Sequence, residues 1–351
     1  FNAFPRNERG LAVGIFGIAL MVAPAIGPTV GGIMIEFFAW QFLFIVNIPF
    51  TVIGFLFSIK YLKETEKNST LKFDVVGIIL ITLGIVSILY ALVNASTLAL
   101  LLSPLNITLL ISGIVLIFVF IKYESKQEQP LLDLSIFKIP TYAVSIAATA
   151  SASIGLFSGI FLLPLLLQQV YGLGEVQTGL LFLPAALVSG IFMSFGGRIL
   201  DRKGPKYVVP VGLFILGGLT IYLGFNTLTT SFWAILVINA LRSAGLGMSN
   251  MPAATAGLNS VEDHQVGQGS AINNIMRQIT ASFAVVFFSI YYEVRRAHLF
   301  SNNLDMQQAS LQSINEAFIV AGVIILIVAP ISFVLQGEQD SRGNKRKKES
   351  A

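Results

Sequence analysis

The chain has 351 residues and is 55% hydrophobic but only 11% charged, against about a quarter charged in soluble domains. It holds no cysteine, which excludes disulfides, thiolate metal sites and cysteine nucleophiles, and His264 and His298 lie too far apart in sequence to suggest a local ligand pair. The net charge of +4 is small, and much of it sits in Arg342, Lys345, Arg346, Lys347 and Lys348, a tail suited to anionic lipid rather than to nucleic acid.

Hydropathy predicts ten helices of bilayer-crossing length, near 10–35, 40–61, 74–94, 98–121, 141–168, 175–197, 207–228, 231–257, 268–292 and 314–336. The chain starts at Phe1 on a short basic loop that leads straight into a span, with no signal peptide in view. The simplest expectation is a fragment whose earlier helices are absent.

The first span carries Pro24 and Pro28 within a ladder formed by Gly14, Gly17, Ala23, Gly27 and Gly31, with Gly32 beside it. Each proline removes a donor and crowds the carbonyl four residues back, so the helix bends. Glycines at three- and four-residue spacings clear a stripe where a neighbouring helix approaches backbone to backbone. Broken helical bonding survives in lipid only under cover of protein or a cavity, which makes this span a candidate moving part. Plain packing is the alternative, since glycine and proline are common in membrane helices.

Lysine and arginine collect on the cytoplasmic side, and they precede the odd-numbered spans: Arg6 and Arg9; Lys60, Lys63, Lys67 and Lys72; Lys122, Lys126 and Lys138; Arg198, Arg202, Lys203 and Lys206. The alternate loops are short and nearly uncharged. Two fit less well: 260–265 is acidic on the cytoplasmic side, and 293–313 carries Arg295 and Arg296 outside. Both ends are nonetheless expected in the cytoplasm.

Between the sixth and seventh spans, Gly197, Asp201, Arg202 and Gly204 predict a cytoplasmic loop in which Asp201 caps a helix or pairs with a base and Gly204 allows a tight turn. An ordinary basic loop is the alternative. Arg242 falls about eleven residues into its span, where a charge costs about 2.5 to 3.5 kcal/mol on insertion scales and is tied to function or to a buried partner. Arg277 lies closer to the cytoplasmic face and can snorkel. Asn47 and Asn273 are further intramembrane polar groups. Every Asp and Glu falls in a loop, in the tail or at a span edge, Glu316 included.

Several of these patterns together resemble one family. Gly17-x6-Pro24-x2-Gly27-Pro28-x2-Gly31-Gly32 is similar to the antiporter motif in the fifth helix of drug:proton antiporters of the major facilitator superfamily. Trp40 to Pro49 resembles the start of the sixth helix in the fourteen-helix EmrB/QacA branch, with Gln41 where that pattern carries arginine. Gly197 to Lys206 resembles the superfamily's cytoplasmic loop motif, and Leu241 to Gly247 and Gly267 to Gln278 resemble the twelfth and thirteenth helices of the branch.

The resemblance implies an all-α major facilitator fold whose ten spans are the fifth to fourteenth of a fourteen-helix parent. It divides the chain into the last two helices of an N-terminal bundle (1–68), two inserted linker helices (69–139), a C-terminal six-helix bundle (140–337) and a basic cytoplasmic tail (338–351). Arg242 becomes the pseudo-symmetric counterpart of an arginine in the superfamily's fourth helix, Gly197 to Gly204 a conformational latch, and the proline–glycine helix a hinge or seal.

The implied activity is export of hydrophobic or amphipathic drugs in exchange for protons by alternating access, in a bacterial cytoplasmic membrane, without cofactor, metal or enzymatic step. No Gly-x4-Gly-Lys-Ser/Thr loop appears, so pumping would draw on an ion gradient. The partners implied are the substrate, protons, the lipid bilayer and, in a host with two membranes, a periplasmic adaptor. The proton-carrying acid is expected in the missing helices, with Glu316 a second choice. Candidate cavity residues are Phe157, Phe161, Gln168, Asn239 and Asn250, a mixture suited to varied amphipathic ligands. A single-metabolite exporter of the same fold and a non-transporting membrane scaffold or sensor are the alternatives; a kinked glycine helix and a buried arginine cost stability in a static bundle.

Overall fold

The computed structural model describes residues 27, 30–61, 74–94, 100, 102–127, 132–262 and 265–335. Gly17, Pro24, Pro28, His264 and the basic tail therefore lie outside the described residues. Those described are overwhelmingly helical and contain no strand. Helical residues 30–37 (α1) lead into α2, Phe42–Tyr61. The remaining helices are α3 (Val75–Val93), α4 (Pro104–Glu124), α5 (Pro140–Val170), α6 (Glu175–Lys203), α7 (Pro205–Phe225), α8 (Phe232–Leu258), α9 (Val266–Ser301) and α10 (Met306–Val334). Among the described residues, the nine helices α2 to α10 are long and apolar enough to cross a membrane.

Local chemistry starts several of them. Asp74 accepts a 2.9 Å bond from the Gly77 amide, capping α3, while Pro104, Pro140 and Pro205 open α4, α5 and α7, where their missing N–H would have no partner anyway. Pro164 lies inside α5, and the helix widens just beyond it into a π-helical turn at Leu166–Val170. Bulges of that kind recur at functional sites.

Helices α5 to α10 form one bundle in which α5 packs against α8, α9 and α10, and α8 also meets α6 and α7. Its crossings use glycine. A Cβ on Gly212 would fall 2.8 Å from the Gly245 carbonyl, and one on Gly245 would fall 2.5 Å from the Gly212 carbonyl, so α7 and α8 touch main chain to main chain. Gly217 and Gly322 do the same for α7 and α10. Small residues suit a lipid setting, where association depends on close packing rather than on expulsion of water. Leu162, Leu166, Phe288 and Phe318 fill one end of the core, and Val209, Leu213, Leu216 and Ile325 fill the other.

Helices α3 and α4 pair as a hairpin through Gly84 and Gly113, and α3 also rests on α9. Helix α2 has no buried residue. Its Asn47, expected to be an intramembrane polar group, is exposed and turns its amide onto the Leu43 carbonyl at 2.9 Å.

Three boundaries differ from the sequence expectation. The outer loop predicted over 293–313 is mostly helix, because α9 continues to Ser301 and α10 begins at Met306. Arg295 is not a stray outside charge: its guanidinium grips Glu316 of α10 through Nε at 2.6 Å and Nη2 at 3.0 Å. Arg296 pairs with Glu293 on its own helix at 2.5 Å. At the other face, α6 runs to Lys203, so Gly197, Asp201 and Arg202 are helical and only Gly204, at φ 84°, makes the turn. That left-handed conformation favours glycine.

Candidate functional site

Arg242 lies in the middle of α8 and is 4% exposed. Its Nη1 donates a 2.7 Å bond to the Gly155 carbonyl of α5, and Ser158 donates to the same oxygen at 3.0 Å. The Arg242 Nε has no hydrogen-bond partner, and no ion pair engages the guanidinium, among the described residues. A buried charge is normally paired, so a lone guanidinium held by one carbonyl is a costly arrangement. Polar groups crowd round it: Asn239, one turn earlier and 2% exposed, points its amide toward the Leu181 carbonyl of α6 at 3.5 Å, and Ser243 bonds the Asn239 carbonyl at 2.9 Å. The Ser151 hydroxyl, one turn before Gly155, is also buried without a partner among the described residues.

A shallow, largely open cavity of about 340 Å³ lies between α3, α5 and α9. Phe157 of α5, Leu89 and Val93 of α3, and Ala281, Val285 and Val286 of α9 form its walls, with Gln278 and Ser282 as the polar members. No charged side chain lines it. Of the predicted cavity residues only Phe157 is there. Phe161 packs against the apolar core, Gln168 is exposed in the π-helical turn, Asn239 is buried near α6, and Asn250 is half-buried on α8. Helical phase turns these five residues to different neighbours among the described helices, so they do not share one wall of that cavity.

Among the described glycines of the proline–glycine segment, Gly32 reaches the bundle. A Cβ on Gly32 would lie 2.5 Å from the Glu175 carbonyl at the start of α6, whereas one on Gly31 would only graze Leu43 at 4.0 Å and one on Gly27 would meet nothing within 4 Å. Asn273 is buried on α9, and Arg277 reaches the Asn274 side chain at 3.4 Å. Asp201 and Arg202 are exposed on the last turn of α6.

Ties between α5 and α9 bracket the cavity. At one end the Tyr142 hydroxyl bonds the Gly269 carbonyl at 2.7 Å, and just outside both helices Gln265 donates to the Asp133 carboxylate at 3.0 Å. At the other, Tyr292 bonds Gln169, and Arg296 stacks 4.9 Å above the Tyr292 ring. Sequence reading missed Gly155, Gly159 and Ser282, although the Gly155-x3-Gly159 spacing was visible as a small-residue pair, and it named Gln278 only as part of a helix motif. Glu124, read as lying at a span edge, is the last residue of α4 and is buried there, 2% exposed, over Gly77.

A glycine-crossed bundle of apolar, membrane-length helices around a buried arginine defines a multi-pass helical membrane protein. Residues 1–285 match the Major Facilitator Superfamily, and the chain belongs to that family. It is 30% identical to the uncharacterized MFS-type transporter YhcA of Bacillus subtilis (strain 168), over 90% of this chain and 59% of that protein. It is 30% identical to the lincomycin resistance protein LmrB of the same organism, over 92% of this chain and 69% of that one. The chain thus spans between about three-fifths and seven-tenths of these relatives. A bacterial homologue of the human lysosomal transporter Spinster, crystallised inward-facing and occupied, matches at TM-score 0.55 and 15% identity over 95% of this chain and 71% of that one, a likeness of fold alone.

Proposed function

We propose that this protein exports hydrophobic or amphipathic drugs in exchange for protons by alternating access, as a member of the fourteen-helix EmrB/QacA branch. The observation that carries the reading is the uncharged cavity at α3, α5 and α9, whose apolar walls and two hydrogen-bonding groups suit an apolar solute with a polar handle. Similarity to a lincomycin resistance protein supports drug as the substrate class. In this reading residues 1–68 close an N-terminal bundle, 69–139 are inserted linker helices, 140–337 are the C-terminal bundle, and the tail from 338 lies in the cytoplasm of a bacterial cell. The contact between Gly32 and the start of α6 is the seam at which the two halves rock. Gly197 to Gly204 is the cytoplasmic latch, with Asp201 exposed on the last turn of α6. The proton is not assigned to Glu316, because the bidentate clamp of Arg295 favours a permanently charged carboxylate.

The test is ethidium export in inverted vesicles containing the protein, read as dye uptake into the vesicle lumen, with the pH gradient and the membrane voltage collapsed separately. Loss of efflux on collapse of the pH gradient alone is the expected result. Efflux indifferent to both gradients would remove proton exchange, and a chain that moves one metabolite but none of a panel of unrelated dyes would replace drug export with single-metabolite export.

A further inference from the structure

The Gly155 to Gly159 step of α5 has a geometry that packing alone does not require. Both residues sit on an ordinary helical backbone, where alanine is the better helix former, so the missing methyl groups answer to a neighbour rather than to the backbone. The neighbours differ. A Cβ on Gly155 would meet Leu216 of α7 at 2.8 Å and Ile325 of α10 at 3.1 Å, both flexible apolar tips. The three atoms nearest a Cβ on Gly159 all belong to the Arg242 guanidinium: it would overlap Nη2, lie 3.0 Å from Cζ and lie 3.5 Å from Nη1.

We propose that Gly159 is the positioning residue for Arg242, its bare Cα forming the seat that lets the guanidinium lie flat on α5 and reach the Gly155 carbonyl. The carbonyl is reachable because no side chain stands at 155 or 159 to shield it, and Ser158 already bonds the same oxygen from the flank. The seat is directional. It holds Nη1 on its acceptor and leaves the Nε edge without a partner among the described residues, so the charge is fixed in place at mid-membrane without being neutralised. Arg242 thereby becomes a rigid joint between α5 and α8, two helices that both flank the polar groups at the centre of the bundle. The role of that joint in transport rests on the function proposed above; the seat itself does not.

The test is a mutant cycle on the purified full chain, read as the thermal unfolding midpoint, with ethidium efflux as a separate second readout. Gly159→Ala should lower the midpoint in the native background and leave it nearly unchanged once Arg242→Lys or Arg242→Gln has removed the fork, whereas Gly155→Ala should cost the same in every background. A loss from Gly159→Ala that persists undiminished without the arginine, or no loss at all, would overturn the proposal. Because the Arg242 variants can fail to fold, modification by 2,3-butanedione, a small uncharged arginine reagent, is read by peptide mass at Arg242 in the native and Gly159→Ala chains alone. Faster modification in the variant supports the seat, and equal protection refutes it. If the cycle and the labelling hold while Gly159→Ala leaves efflux intact, the seat stands and only its part in transport falls.

Discussion

The phenolic hydroxyl of Tyr142, at the start of α5, donates a 2.7 Å hydrogen bond to the main-chain carbonyl of Gly269, one turn into α9. The tyrosine is fully buried, and a Cβ on Gly269 would lie 3.4 Å from its ring. Ring and hydroxyl therefore contribute separately. Tyr142→Phe keeps the packing and loses one neutral hydrogen bond, an expected cost of about 1 kcal/mol, while Tyr142→Ala opens a cavity and should cost about 3 kcal/mol or more. Thermal melts of the purified variants check the order; equal losses would mean that the hydroxyl rather than the ring carries the contact.

The clamp between Arg295 and Glu316 joins α9 to α10 where both side chains are still partly exposed, at 35% and 25%. Screening by water keeps its worth modest, about 1 kcal/mol. Arg295→Glu and Glu316→Arg should each lower the melting midpoint by placing like charges face to face. The double exchange should recover most of the loss, and a double variant as unstable as the worse single one would show that geometry rather than charge is what matters.

Gly32 offers a contrast with Gly218, which faces open space on α7. Gly32→Leu must push α1 away from the Glu175 carbonyl and should abolish dye efflux while leaving membrane insertion intact. Gly218→Leu should leave efflux near its native rate. Unchanged efflux in Gly32→Leu would dissolve the seam between α1 and α6.

In the cavity, Ser282→Phe adds an aromatic ring where an α9 hydroxyl now lines open volume, and Gln278→Leu removes the amide while keeping the bulk. The first should lower efflux of every dye by tenfold or more, about 1.4 kcal/mol of lost transition-state binding. The second should raise KM for dyes with hydrogen-bonding groups and spare purely apolar ones. Parallel KM changes for all dyes would place the ligand elsewhere.

Much of the membrane architecture was written in runs of apolar residues, because a bilayer demands length and low charge before it demands anything else. Nine of the ten predicted spans correspond to long helices, and Arg242 stood out as a charge far from any span end. Arg295 and Arg296 misled for the same reason that Arg242 did not. A charge count along the chain cannot see how a charge is paired once helices form and pack: Arg295 grips Glu316 of the next helix and Arg296 pairs with Glu293 one turn back on its own, and both looked like loop residues. Phe161, Gln168 and Asn250 face neighbours other than the walls of the α3–α5–α9 cavity, a matter of helical phase that residue chemistry alone leaves open.

The linear sequence by itself determined that this chain is a set of bilayer-length helices, cysteine-free and sparing with charge, with glycines spaced for close crossings and one arginine at mid-span. Only the tertiary structure decided which glycines meet which backbones, that Gly159 lies beneath Arg242 while Gly155 faces leucine and isoleucine, and that Gln278 and Ser282 rather than Asn239 look into a cavity. Helix formation depends on neighbours three and four residues away, which a sequence displays. The partner of a buried charge is fixed by how helices cross, through contacts between residues as distant as Gly155 and Arg242, and that information exists only once the bundle has packed.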